Sequence, residues 1–106
     1  MAETFTIKRD DTSPAIQFQL TLGTGQTLVG ATATFKMASL NGGALKIDSP
    51  AAVDSAQNIL SYQWDAGDTD TAGVYRAEFE VTYSDGKIET FPNSEYIQIN
   101  VLEDLD

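Results

Sequence analysis

Along most of the chain apolar and polar residues alternate one for one, so the dominant period is two rather than 3.6. Ile16, Phe18, Leu20 and Leu22 alternate with Gln17, Gln19 and Thr21, the pattern of a strand with one face on a core and the other in water. Ala33, Phe35 and Met37 repeat it against Thr32, Thr34 and Lys36. Tyr75, Ala77, Phe79, Val81 and Tyr83 do so against Arg76, Glu78, Glu80 and Thr82, and Ile97, Ile99 and Val101 against Gln98 and Asn100. Phe5–Lys8, Ala44–Ile47 and Ile59–Trp64 are shorter runs of the same kind. About seven short strands separated by turn signals predict an all-β sandwich or barrel.

The intervening residues are those of turns. Ser84-Asp85-Gly86-Lys87 predicts a tight hairpin, with Asp-Gly supplying the positive φ values of a type I′ turn. Gly23-Thr24-Gly25 and Asn41-Gly42-Gly43 read as further glycine loops, the first of them a hairpin loop. Pro14 follows Asp10-Asp11-Thr12-Ser13 and has no N–H to give a ladder, so it belongs at a strand start or sheet edge. By the same reasoning Pro92, in Phe91-Pro92-Asn93-Ser94, splits the last strand into two short pieces. Ala51–Ala56, with Pro50 ahead of it, is the one weak helix candidate.

Composition narrows the chemistry. A chain of 106 residues with 42% hydrophobic and 21% charged residues reads as one foldable domain over residues 1–106. Six Lys+Arg against sixteen Asp+Glu give a net charge of −10, which repels phosphates and anionic headgroups and argues against nucleic-acid and membrane partners. No apolar stretch has the length of a membrane span, and no basic-then-apolar leader is present, so neither a span nor a secretory signal is expected. With no Cys, disulfides, thiolate nucleophiles and cysteine metal sites are excluded. With no His, the commonest general base and transition-metal ligand are missing too. A non-enzymatic protein without a cofactor is the expectation.

Four groups of residues invite a functional reading. Asp65, Asp68 and Asp70 crowd one loop and resemble hard oxygen ligands for calcium, but their spacing is not that of an EF-hand, and Asx-turns explain the same composition. No metal site is therefore expected. Gly23-Thr24-Gly25 has no following Lys-Ser/Thr and no helix, so it is not a phosphate loop. Glu78 and Glu80 share one strand face, whereas a glycosidase pair faces a substrate cleft from separate elements; a solvated face accounts for them. Among Tyr62, Trp64, Tyr75, Tyr83 and Tyr96, only Tyr96 falls out of core parity, which makes it the aromatic expected at the surface and a candidate interface residue.

Asp70-Thr71-Ala72-Gly73-Val74-Tyr75 sets a tyrosine just inside a strand after a turn. That is the arrangement of a tyrosine corner, whose phenol bonds back to the turn backbone in immunoglobulin-like sandwiches. Two residues on, where antibody domains carry a cysteine, stands Ala77, so no disulfide accompanies it.

Taken in order, Asp11-Thr12-Ser13-Pro14, Gly30-Ala31-Thr32-Ala33-Thr34-Phe35-Lys36-Met37, Tyr62-Gln63-Trp64 and Gly67-Asp68-Thr69-Asp70 carry a resemblance. So do Gly73-Val74-Tyr75-Arg76-Ala77-Glu78-Phe79-Glu80-Val81, Asp85-Gly86-Lys87 and Thr90-Phe91-Pro92. The string resembles the immunoglobulin-like N-terminal domain of phage upper baseplate proteins of the BppU type and related small phage virion structural proteins, from about Thr6 to Val101. The resemblance implies a single antiparallel immunoglobulin-like β-sandwich and a structural component of a tailed bacteriophage virion. Such a component is made in the host cytoplasm, docks onto other virion proteins, and is present in many copies of a symmetric assembly. It brings no catalytic or cofactor residue.

Tail, baseplate or neck is expected ahead of the alternatives, a capsid decoration protein or a carbohydrate- or host-surface-binding module. Two departures stand out: proteins of that type often continue into a longer C-terminal region, and the glycine expected before Asp11 is Asp10 here. The expected docking surface is the outer face around Tyr96, Gln98 and Asn100, continuing into Leu102 and Leu105.

Overall fold

In the computed structural model, which describes residues 3–103, the alternating segments form eight strands and no helix. They are β1 (Thr4–Lys8), β2 (Ile16–Gln19), β3 (Thr32–Ser39), β4 (Leu45–Asp54), β5 (Ile59–Tyr62), β6 (Gly73–Thr82), β7 (Ile88–Phe91) and β8 (Ile97–Leu102). Hydrogen bonding links them in the order β1-β8-β6-β3-β4-β5-β2, with β7 also on β6.

The path wraps around a core because two segments change layer. The first part of β4, to Ala51, pairs with β3, whereas Ala52, Val53 and Asp54 pair with β5. At the other margin the chain leaves β1 at Lys8, passes Pro14 and enters β2 beside β5. Rings from strands that are not hydrogen-bonded neighbours then meet across the core: Phe18 of β2 lies 6.3 Å from Phe79 of β6, tilted, and Phe35 of β3 stacks on Tyr62 of β5 at 4.6 Å. Trp64 fills the centre, edge-on to both Phe35 and Tyr62. Phe35, Met37, Leu60, Phe79, Val81 and Ile99 are fully enclosed, all at inward positions of the alternation. Burying each such side chain contributes about 1.5–3 kcal/mol, so this core holds the fold without a disulfide.

The expected corner is present. The Tyr75 phenol donates to the Thr71 carbonyl oxygen at 2.6 Å, tying the turn before β6 to the strand. Pro92 divides the last strand as expected, into β7 and β8, which lie end to end along one edge of β6. Phe91 pairs with Phe79 and Ile97 with Ala77, so a single β6 residue, Glu78, faces the whole of Pro92–Tyr96. That surplus of backbone has to bulge outward.

The structure corrects several expectations. The described residues form eight strands, and one pair, β1 with β8, is parallel. Ala51–Ala56 is not helical: Ala51–Asp54 completes β4, where Pro50 sits next to the change of partner and the missing N–H is tolerated. β2 stops at Gln19, short of Leu22, and Gly23–Gln26 is a turn between the two layers rather than a hairpin, since β2 and β3 do not pair. At the β6–β7 hairpin only Gly86 has positive φ, 89°, and its N–H bonds the Tyr83 carbonyl at 2.8 Å. This is a three-residue loop closed by a left-handed glycine rather than a type I′ turn. Asp10 adopts φ 70°, so it keeps the left-handed turn for which the resemblance expects glycine; aspartate is among the residues that tolerate it.

Candidate functional site

β-strand parity decides what the β1-β8-β6-β3-β4 layer shows to water. Along β6, Val74, Arg76, Glu78 and Glu80 point outward between the buried Tyr75, Ala77 and Phe79. Arg76 lies between Gln98 of β8 and Ala38 of β3, and Ala38 in turn lies opposite Leu45 of β4. Glu78 faces Lys36, which faces Asp48.

Above this floor stand two walls, the β3–β4 hairpin with Gly43 and Leu45, and the Pro92–Tyr96 bulge. Between them is an open groove of about 580 Å³ whose floor includes Lys36, Arg76 and Glu78. Of the six exposed large apolar side chains among the described residues, four stand on this face, while Val29 and Leu40 belong to loops. Leu45, Val74, Ile88 and Leu102 are each more than two-fifths exposed, and cross-strand pairing places all four on this outer surface, opposite Ala38, Asn100, Thr82 and Lys8.

The expected interface residues fall here too. Tyr96 is half-buried and lines the groove, so it is less exposed than expected. Gln98 and Asn100 are half-buried on β8, bonded to each other at 3.1 Å. Leu102 is exposed where β8 ends. Leu105 lies outside the described residues. The residues missed were Arg76 and Leu45. Parity already places Arg76 outward and only its role goes unread, whereas Leu45 shares the parity of the buried Ile47 and is turned outward by the register shift between Met37 and Ala38.

Charges on the groove floor are unevenly matched. Lys36 Nζ pairs with Glu80 at 3.5 Å. The Arg76 Nε–H donates to the Ser39 carbonyl at 3.3 Å, which anchors the guanidinium, yet no carboxylate of the described residues pairs with it. Glu78 likewise makes no ion pair among the described residues.

The acidic loop between β5 and β6 is built differently. Asp68 Oδ2 accepts the Tyr62 phenol at 2.5 Å and the Asp65 N–H at 2.8 Å. Burial and this carboxylate push the Tyr62 phenol well above its ordinary value. Asp70 Oδ1 takes the Lys46 ammonium at 2.7 Å and the Thr71 hydroxyl at 3.1 Å; the Lys46 bond, followed by that of Thr71, lowers its carboxyl. The buried Thr69 hydroxyl donates to the Asp11 carbonyl at 2.9 Å. These bonds tie the loop together, but they are not the expected Asx-turns: Asp68 reaches back to the Asp65 N–H and Asp70 is held by side chains, whereas the Asx pattern occurs at Asp54 and Asp85. Among the described residues no three acidic side chains converge as metal ligands, and Met37, the one described methionine, is sealed in the core.

Glu78 and Glu80 lie on the solvated outer face, Glu80 held by Lys36. Tyr62, Trp64, Tyr75 and Tyr83 are core.

No protein-family model matches the chain, and no curated protein matches it. Among solved structures, the crystal structure of CopC from Methylosinus trichosporium OB3b is similar, with a TM-score of 0.56 and 14% sequence identity over 99% of this chain and 87% of that one. At that identity the likeness establishes a common all-β fold and carries nothing about activity.

Proposed function

We propose that this chain is a non-enzymatic structural component of a tailed bacteriophage virion, an adaptor of the tail or baseplate that docks onto neighbouring virion proteins. One observation carries the docking part of this reading: four of the six exposed large apolar side chains of the described residues stand on the outer face that also holds the groove, Leu45 in its wall. The virion part rests on the ordered residue strings from Asp11 to Pro92 that resemble phage baseplate domains.

We read the fold in finer detail as an immunoglobulin-like sandwich. The Tyr75–Thr71 bond supports it, as a hallmark of that fold, together with two facing layers of mainly antiparallel strands. Function in this reading is passive: a rigid domain presents a preformed face and loses little conformational entropy on docking.

Mass spectrometry of purified phage particles, with heads and tails separated, is the direct test. The chain is expected in the tail fraction; recovery with heads would make it a capsid decoration, and absence from particles would overturn the reading. Deleting residues 102–106 together with Tyr96→Ala should leave the domain folded and lower its incorporation. Normal incorporation of the folded variant would show that a different surface docks.

A further inference from the structure

Resting on the docking reading above, the outer positions of β6 point to the chemistry of the segment received. We propose that the groove, together with the stretch of β6 beyond its end where Val74 lines a neighbouring depression with Leu40, takes an extended segment of a partner protein carrying an apolar residue, an acidic residue and a basic residue at alternate positions, seated in that order over Val74, Arg76 and Glu78.

Three observations converge on this register. Val74, Arg76 and Glu78 are successive outward residues of one strand, all exposed, and successive outward positions of any extended chain repeat at about 6.6 Å. An extended segment laid along β6 therefore places every second side chain over one of them. Next, the Arg76 guanidinium is anchored through Nε to Ser39, and no carboxylate of the described residues forms an ion pair with it, although Glu95 lines the same groove; its Nη donors suit a bidentate bond to an incoming carboxylate. Lastly, the neighbourhood of Glu78 is short of cations. Lys36 lies opposite both Glu78 and Asp48 in the register and already pairs with Glu80, leaving three carboxylates around one ammonium. A carboxylate is wanted at one step of the strand and a cation at the next.

Val74 continues the register as an apolar step, beside the half-exposed Leu40 whose N–H bonds its carbonyl at 3.1 Å. The walls suit a segment rather than a small solute. The β3–β4 hairpin and the Pro92–Tyr96 bulge confine it laterally, while the exposed apolar residues run on beyond the groove. A neutral sugar would leave both the unpaired charges and these apolar side chains without a counterpart. The net charge of −10 disfavours a uniformly acidic partner at long range, and a mixed-sign segment avoids that repulsion.

Two peptides of identical composition test the register. One is acetyl-Ser-Leu-Thr-Asp-Thr-Lys-Ser-amide, which presents Leu, Asp and Lys on one side. The other is acetyl-Ser-Leu-Thr-Lys-Thr-Asp-Ser-amide, with the charges exchanged. Chemical-shift titration of the isotope-labelled full chain should show the first binding about fivefold more tightly, a difference of about 1 kcal/mol, with shifts confined to residues 36–38, 74–78 and 92–96. The double variant Arg76→Glu/Glu78→Arg keeps the charge and composition of the face, and it should prefer the second peptide instead.

Equal binding of both peptides overturns the proposal. So does a preference that survives the exchange, shifts elsewhere on the molecule, or cellotetraose binding the groove with no change in the double variant. Loss of the peptide preference with normal dependence of incorporation on Tyr96 and residues 102–106 would remove the charge register while leaving the docking face standing. The reverse result would remove the face as a virion contact and keep the register.

Discussion

The Asp65–Asp70 loop and the groove beside the Pro92–Tyr96 bulge are both rich in charge, and they use it in opposite ways. In the loop, Asp68 and Asp70 are engaged by Tyr62, the Asp65 N–H, Lys46 and Thr71, so the charges shape the turn that feeds β6. In the groove, Arg76 and Glu78 lie two residues apart without an ion pair among the described residues, and the side chains that approach them do so from separate strands. The density of acidic residues, which draws attention to the loop first, is a poor guide to function here. What distinguishes the two regions is how far their polar groups are already satisfied within the chain.

The comparison breaks most decisively at Asp68. Asp68→Ala leaves the mostly buried Tyr62 hydroxyl without its acceptor and removes the bond to the Asp65 N–H. A loss of about 1–3 kcal/mol is expected from urea unfolding. Adding Tyr62→Phe should recover part of it, because the orphaned hydroxyl goes as well. A neutral Asp68→Ala would mean that the loop is not built by this network.

A second test separates the regions by pH. The Tyr62 and Tyr83 phenols donate to the Asp68 and Glu89 carboxylates at 2.5 and 2.7 Å. Burial first, and the carboxylate next, raises Tyr83 from 10.0 to about 12 and Tyr62 further still. Their folded values lie above the unfolded one, so their contribution is fully present below pH 10 and is lost as the pH rises through 12. The urea midpoint should fall above pH 10, and Tyr83→Phe and Tyr62→Phe should each flatten that fall. An identical alkaline slope in both variants would assign it to other groups.

The smallest effect is expected in the groove. Arg76→Gln and Glu78→Gln, both exposed and in no ion pair among the described residues, should each change stability by less than about 0.5 kcal/mol, a near-zero shift in the same urea experiment. A loss above about 1 kcal/mol in either would show that these charges belong to the fold and would remove the contrast with the loop.

Much of the architecture was legible because strand parity is a local property. The inward set Phe35, Met37, Phe79, Val81 and Ile99 was written in the alternation, and the Tyr75 corner in six consecutive residues. The Pro92 break was equally local, since a residue without an N–H interrupts any ladder. Ala51–Ala56 misled because alanine is a good helix former, while the pairing of Ala52 and Val53 with Ser61 and Leu60 overrides that preference.

The sequence by itself determined which residues face inward, where the chain turns, and that histidine and cysteine chemistry is absent, because alternation, turn residues and composition are all read within a few positions. Only the tertiary structure decided which strands are neighbours. That choice made β1 parallel to β8, moved β4 from one layer to the other, set Leu45 opposite Ala38, and raised the bulge over Arg76 and Glu78. The groove is made by residues far apart in the chain, and its existence depends on the burial of a common core, which no local pattern encodes.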